Sequence, residues 1–437
     1  MSTSLEPNAD QLAAFSDFMR FLFSEESEMN ISGPGGTGKT YSMGYMIDNT
    51  IPQYHAACRI LGVAPKYHDV MMTATTNKAA EELAIATGRP CTTIHTFLKL
   101  VVKPNFKTGG SDLVRTASWE LVKNLIIFVD ESSMVSKDLL KQIRETCEDC
   151  KIVFIGDHCQ LNPVKEGMSP VYTANNKTSH LTIQERAKNQ PELVNLFSQL
   201  RLNVETNEYK PIQLVPGIID RVTEEEFVAE IDKHFANPNH SAKILAYTNQ
   251  QVEAYNDHIR ELRKLPPEFV KGELVVNPDV TKLRSTTLHS DKEYIITDVQ
   301  SDVLVKEFPE NGALEYRLYQ LESKLGEIIN EVPVPVNRSH RSDLLSFYEA
   351  YGKRTGDWAP KFWLKDSIAA LRQRDASTIH KAQGSTKSTV YVDLNDLGVC
   401  RDERELARLL YVGASRASDR VVFFGNLPRK YGLKFVS

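Results

Sequence analysis

The chain has no run of about 18 uncharged apolar residues in its 437 positions, which leaves no candidate for a membrane-spanning helix. A secretory leader is missing too, because "MSTSLEPNADQLAAF" lacks the basic-then-apolar order. The expected location is the cytoplasm, the host's if the source is a phage, with no membrane partner. Cysteine is sparse: six residues, four of them widely scattered, suit reduced thiols better than a disulfide framework. Cys147 and Cys150 form one C-x-x-C, but a zinc site needs a second ligand pair that the sequence does not offer, so both are expected as plain thiols at a helix end. An excess of positive charge is also lacking, with 52 basic residues against 57 acidic and a net charge of −5. Bulk charge therefore gives no sign of a nucleic-acid partner. It does not exclude one, since a basic groove inside an acidic whole is invisible to this sum. No repeat of 20 to 50 residues and no low-complexity tail is found. What remains is an ordinary globular composition, 41% hydrophobic and 25% charged, in a chain long enough for two to four domains.

The strongest motif is "ISGPGGTGKT". Gly33-Pro34-Gly35-Gly36-Thr37-Gly38-Lys39-Thr40 fits G-x-x-x-x-G-K-[ST] without a gap, a match expected by chance on the order of once in a hundred such chains. A short apolar strand around Met29 and Ile31 precedes it, and "KTYSMGYMID" carries helical spacing after it. Glycines let backbone amides curl round phosphates, and the helix start adds partial positive charge. Lys39 would reach the β- and γ-phosphates of ATP while the Thr40 hydroxyl binds Mg2+. A glycine-rich turn without a ligand is the alternative.

Downstream acids narrow the class. In "LIIFVDESSM" five consecutive apolar residues read as a strand buried on both faces of a parallel sheet, ending in Asp130 and Glu131. Asp130 is placed to hold Mg2+ through water, and Glu131 to orient and deprotonate an attacking water. Such a second acid favours hydrolysis over phosphoryl transfer to a metabolite. A third strand, in "KIVFIGDHCQLNPV", ends at Asp157 and Gln160, where open parallel sheets place their ligands. Gln160 would sense the γ-phosphate.

These motifs, with "TATTNKAA" (73–80), "TIHTF" (93–97), "AYTNQQVEAYN" (246–256), "STIHKAQGST" (377–386) and "LLYVGASRASD" (409–419), resemble in their order the superfamily 1 helicases of the RecD and Dda branch. The resemblance spans nearly the whole chain. "WAPKFWLKDS" at 358–367 extends it toward the Dda type, which carries clustered aromatics there.

The resemblance implies an α/β protein of two RecA-like parallel-sheet domains, with ATP between them and single-stranded DNA across their tops. Residues 1–97 and 118–180 would form the first domain, and 181–265 with 376–437 the second. Inserts would be a pin hairpin at 98–117 and a small SH3-like barrel with an arm at 266–375. The tripeptide Thr-Ile-His occurs twice, at Thr93 and at Thr378, and falls where each domain offers a loop to the DNA backbone. Thr93 and Thr378 hydroxyls would bond phosphate oxygens, and His95 and His380 would donate or stack. Thr75, Asn77, Phe97 and Asn249 belong to the same implied DNA track. Gln383 and Gly384 would lie near the nucleotide. Arg416 would enter the ATP site as an arginine finger, and Arg186 in "LTIQERAKNQ" resembles a second. Gln11 resembles the glutamine that reads the adenine edge; a surface glutamine on the first helix is the alternative.

Between "TIHTF" and "VDESS", "KLVVKPNFK" and "SDLVR" flank Gly109-Gly110, and residues 99–123 hold five basic against two acidic residues. In Dda-type helicases a hairpin here splits the duplex. Phe106, near its tip, would stack on the junction base pair; a surface hairpin with an incidental aromatic is the alternative. Farther on, "DVLVKEF" and "ALEYRLYQL" flank Pro309-Glu310-Asn311-Gly312 as a second hairpin, "EVPVPVN" reads as a strand, "DLLSFYEAYGKR" as a short helix and "RKLPPEFVKGE" as a linker. Trp358, Phe362 and Trp363 would stack on bases or anchor the arm to the pin, with core packing as the alternative. The expected activity is ATP-driven 5′ to 3′ translocation on single-stranded DNA with unwinding of a forked duplex, by a monomer that could meet single-strand-binding or replisome proteins. The competing expectation is a nucleic-acid-stimulated ATPase that remodels protein on DNA without separating strands.

Overall fold

In the computed structural model, which describes residues 6–163, 166–185, 190–284, 286–310 and 312–436, the apolar run before Asp130 is the strand Leu125–Asp130. Ile126, Ile127, Phe128 and Val129 are all fully buried, as a strand covered on both faces requires. It lies within a six-stranded sheet in the order Lys177–His180, Glu28–Ser32, Lys151–Gly156, Leu125–Asp130, Asp69–Ala74 and Thr92–Thr93. Every pairing in it is parallel. The first helix, Ala9–Phe23, starts at a capping box: the Asn8 side chain accepts from Gln11 N, and the Gln11 side chain accepts from Asn8 N. It then lays Phe18 on Phe128 of the central strand, ring centroids 5.7 Å apart.

The chain forms two compact units. One comprises residues 1–100, 115–223 and 382–437, and the other residues 101–114 and 224–381. Beside the six-stranded sheet, the first unit holds a second parallel set, Ile219–Val222 next to Ala417–Phe424 next to Lys387–Asp393. All six cysteines lie in this unit as thiols outside any disulfide, and Cys147 caps the end of helix Lys137–Thr146.

The second unit contains the parallel pair Ala242–Ala246 and Ala376–Thr378. It continues into an antiparallel sheet in which Leu304–Phe308, Gly312–Ser323, Glu293–Val299, Leu274–Val276 and Arg372–Gln373 follow in order, with Ile328–Pro335 also against Gly312–Ser323. Phe308 faces Gly312 across the expected turn. The Tyr348 hydroxyl donates to Pro309 O at 2.6 Å and occupies the space a Gly312 side chain would need. Val275, Tyr294, Ile296, Leu321 and Val332 fill the core of this sheet.

Two expectations change. The arm helix is not short: it runs Arg338–Thr355, because Asn337 caps it through His340 N and only Gly356, at φ 80°, ends it. The linker-like stretch is also not slack. Arg260, almost fully buried, ion-pairs with Glu273 and donates to Pro266 O and Glu268 O, and Phe269 within the stretch is buried.

The strands Leu100–Pro104 and Ser111–Arg115 form the hairpin between the first-domain motifs. Asn105 shapes its tip, with Oδ1 accepting from Lys107 N and Thr108 N, and Gly109 takes φ 70°. The tip rests on the arm: a side chain at Gly109 would begin 2.5 Å from the Trp358 ring, and Lys361 Nζ donates to Gly109 O at 3.2 Å. Phe106 meets Phe362 edge-on at 5.1 Å while keeping 56% of its surface exposed.

Candidate functional site

The carboxyl ends of the central strands converge on one cavity of about 540 Å³, within the size range of small-molecule sites. Lys39, Asp130, Glu131, Gln160, Gly384 and Arg416 line it, together with Gly35, Gly36, Gly38 and Thr40. All of them belong to the first compact unit.

The phosphate loop follows strand Glu28–Ser32 directly, anchored by Gly33 N donating to Gly156 O. Gly36 and Gly38 take φ 91° and 82°, a region where an L side chain is strained. A Cβ on Gly38 would stand 2.5 Å from Gln11 Nε2, which position 38 can avoid only as glycine, whereas one on Gly35 would make ordinary contact with Arg416 Nη2 at 3.4 Å. Thr37 Oγ1 turns inward to Pro34 O, and the Lys39 ammonium bonds Gly33 O and Pro34 O at 2.8 and 2.9 Å, over the loop's own backbone. Gln11 is not a surface residue. It is 3% exposed and, besides its capping bond, donates to Thr37 O at 3.4 Å.

Glu131 takes left-handed backbone angles, φ 54° and ψ 42°, which are uncommon outside glycine and mark stored strain. The surroundings hold it there: Glu131 N donates to Asp130 Oδ1, and Thr75 Oγ1 donates to Glu131 O at 3.2 Å. Burial, and then the Glu131 carboxylate beside it, push the Asp130 carboxyl up to about 7. Two adjacent acids lining the same cavity as Thr40 form a donor set suited to a hard divalent cation such as Mg2+.

Gln383 joins Glu131 to Gln160. Its Nε2 donates to Glu131 Oε2 at 3.1 Å and to Gln160 Oε1 at 3.0 Å, although 252 residues separate Gln383 from Glu131. Arg416 is 4% exposed, with Nε donating to Val412 O and Nη2 to Ser415 Oγ, both at 3.0 Å. Burial lowers its basicity, and the Glu131 charge is the largest influence restoring it. Asp157 does not face the cavity chemistry. Fully buried, it accepts from Arg201 Nη1 at 2.7 Å and from the Tyr411 hydroxyl at 2.6 Å. Arg408 donates to the carbonyls of His158 and Gln160. Arg186, expected as a second finger, lies outside the described residues.

The two Thr-Ile-His tripeptides have one local structure. Thr93 ends strand Thr92–Thr93 and begins a one-turn helix, Ile94–Phe97; Thr378 ends strand Ala376–Thr378 before the one-turn helix Ile379–Ala382. Ile94 and Ile379 are both fully buried. Thr93 pairs with Ala74 and Thr378 with Ala246, each in parallel register. Those partner strands lead into Thr75-Thr76-Asn77 and Tyr247-Thr248-Asn249, in which Thr76 and Thr248 cap the next helix from equivalent positions. The repeated element is therefore larger than a tripeptide. The signal that would have revealed it, Ala-x-Thr-Asn before a helix in both halves, is too degenerate to stand out alone.

Within this pattern the side chains differ. The Thr93 hydroxyl accepts from Thr96 N as a helix cap, and burial depresses the basicity of His95, leaving it neutral near pH 7. His380 is exposed and packs near Tyr247, ring centroids 6.0 Å apart. Asn249 is exposed and accepts from Arg372 at 2.8 Å. Phe97 is half-buried. Trp358 and Phe362 are packed under the hairpin, whereas half-buried Trp363 lines a cavity of about 460 Å³ and lies beneath the Lys306 ammonium.

The chain is similar to known proteins over most of its length. Residues 6–212 match the model of an AAA domain and residues 375–424 that of a UvrD-like helicase C-terminal domain. The chain is 24% identical to the ATP-dependent DNA helicase dda of Enterobacteria phage T4, over 93% of this chain and 96% of that protein. It is 21% identical to an uncharacterized protein of Acanthamoeba polyphaga mimivirus, over 90% of this chain and 94% of that one. Among solved structures, the Pif1 helicase of Candida albicans is similar at a TM-score of 0.50 and 16% identity, covering 98% of this chain and 96% of that one. A Bacteroides Pif1 helicase in complex with ADP-AlF3 and single-stranded DNA is similar at the same TM-score and identity, over 96% and 93%. These likenesses bear out the α/β architecture with parallel-sheet RecA-like domains.

Proposed function

We propose that this chain, a superfamily 1 helicase of the Dda and Pif1 type, is an ATP-dependent DNA helicase that moves 5′ to 3′ along single-stranded DNA and opens a forked duplex. The observation that carries the reading is the shared cavity: Lys39, Glu131, Gln160 and Arg416 line it together, and the Gln383 amide ties the base to the sensor.

ATP would lie with its phosphates on the loop Gly33 to Thr40 and its adenine toward Gln11, and Mg2+ held by Thr40 and Asp130 would neutralise phosphate charge. Glu131 accepts the proton of the attacking water, and its strained backbone together with the Gln383 bond fixes the direction from which it does so. Arg416 faces the charge that develops on the transferred phosphoryl group. Gln160 reports the presence of that group through Gln383 to the chain leading back to His380. Single-stranded DNA would be gripped by Thr75, Asn77, Thr93, His95 and Phe97 in one unit and by Asn249, Thr378 and His380 in the other, and ATP turnover would make the two grips advance alternately. The hairpin braced on the arm would present Phe106 to the junction, with Trp363 as a further stacking surface. Stacking worth about 1 to 3 kcal/mol is comparable with the mean of about 1.4 kcal/mol for one base-pair step.

The test is unwinding of forks carrying either a 5′ or a 3′ tail. Separation from the 5′ tail alone is expected. Separation from the 3′ tail alone would overturn the polarity. DNA-stimulated hydrolysis with separation from neither tail would leave a translocase that remodels protein on DNA.

A further inference from the structure

Guanidinium groups stay charged in proteins, so one that is buried needs an anion or a full set of acceptors. Arg341, on the arm helix Arg338–Thr355, is 7% exposed and has neither. Its Nη2 donates to Leu364 O and Ile368 O, at 3.3 and 3.1 Å, but its Nε has no partner among the described residues. Burial lowers its basicity; Asp279 opposes this as a through-space charge, while Arg372 adds to it. Arg341 lines a cavity of about 340 Å³ together with Arg338 and Arg372. The 18-residue arm helix begins at the same cavity, and its start adds partial positive charge.

Acids also line this cavity, and their exposure decides the balance. Arg338 pairs with Asp257 and Arg372 with Glu253, both at 2.9 Å, but the two carboxylates are 56% and 52% exposed. Exposed pairs are worth about 0 to 1 kcal/mol and exchange partners readily. Asp343, the remaining acid, is exposed as well. The buried charge is thus a cation, and the acids stand at the rim.

We propose that Arg338, Arg341 and Arg372 form a site for a tetrahedral phosphate oxyanion, occupied by one phosphodiester of the single strand that passes Asn249. The direct link is Arg372 Nη1, which donates to Asn249 Oδ1 at 2.8 Å, so the site adjoins the second unit's strand-binding element. This rests on the reading of Asn249 as a DNA contact. Arginine forks suit the two non-bridging oxygens of a phosphodiester.

The experiment measures dT12 affinity against salt for the wild type, Arg338→Gln and Arg372→Gln. It is repeated with dT12 carrying one neutral methylphosphonate linkage placed at each position in turn. Each variant is expected to lower the log–log salt slope by about 0.7, the value for one lost single-strand phosphate contact. One linkage position should cost the wild type severalfold in affinity and cost the variants nothing. Equal slopes, or a methylphosphonate profile unchanged in the variants, would overturn the site. Inorganic phosphate that raises the thermal midpoint of the wild type alone, with dT12 binding unaffected by the substitutions, would make it a free-anion site and reject the strand. Arg341→Lys, which keeps the charge and loses the fork, serves if a glutamine variant does not fold. A wild type that binds no dT12 would instead remove the underlying DNA reading.

Discussion

The Tyr411 hydroxyl donates to the Asp157 carboxylate at 2.6 Å, joining residues 254 positions apart in the chain. Tyr411 stands on the helix Glu403–Ala414 that delivers Arg416, and Asp157 begins the turn that delivers Gln160. The helix that leads to Arg416 and the turn that carries Gln160 are therefore tied together by this bond and by those from Arg408 to His158 O and Gln160 O. Tyr411→Phe leaves an oxygen of a buried carboxylate with one fewer donor, a loss of about 1.5 to 3 kcal/mol. A lower urea midpoint and a lower kcat with little change in KM are expected. A variant with unchanged kcat would show that the bond serves stability alone.

Glu131→Gln keeps the shape of the side chain and removes its basicity. Turnover should fall by about 10² to 10⁴ while nucleotide affinity is retained. Steady-state hydrolysis alongside fluorescent-nucleotide binding checks both halves. Hydrolysis at the wild-type rate would remove Glu131 from its role.

Arg416→Lys should cost about 10³ in turnover despite conserving charge. The guanidinium is held by Nε to Val412 O and Nη2 to Ser415 Oγ, two directions that one ammonium cannot reproduce. Rescue of single-turnover hydrolysis by lysine would argue against the finger.

Phe106→Ala should slow fork unwinding and leave DNA-stimulated ATP hydrolysis near the wild-type rate. Gly109→Val should also slow unwinding, by a different route: it drives a branched side chain into Trp358 and unseats the tip from the arm. Unwinding unaffected in both would make the hairpin a surface ornament.

Acid stability tests the second unit. Burial alone would raise the Asp375 carboxyl, but bonds from His240 at 2.8 Å and Arg263 at 2.9 Å outweigh it and hold it below its ordinary value. A depressed carboxylate contributes stability above the unfolded value near about 4 and loses it as pH falls through the folded value. Asp375→Asn should therefore lower the urea midpoint at neutral pH and flatten its decline below about pH 4. A decline as steep as that of the wild type would assign the acid limb to other groups.

How much was legible depended on how local each feature is. The phosphate loop, the strand ending in Asp130-Glu131 and the hairpin around Gly109-Gly110 could all be read, because a backbone turn or an alternating pattern is written in neighbouring residues. The capping role of Gln11 is also written in the spacing Asn8-x-x-Gln11, which the resemblance to an adenine-reading glutamine does not use. Gln383 was placed near the nucleotide without its two partners, and Tyr411, Arg408 and Arg341 were not singled out.

Sequence alone determined the chemistry available to this protein: a phosphate cradle, a pair of acids, a late arginine and two matched strand ends. Tertiary structure alone decided which of those groups touch, as in the amide of Gln383 between Glu131 and Gln160, and which lie buried, as in Arg341. The reason is physical. Backbone conformation is governed by residues a few positions apart, whereas a side chain's partners and its exposure to water come from segments hundreds of residues away that packing brings together.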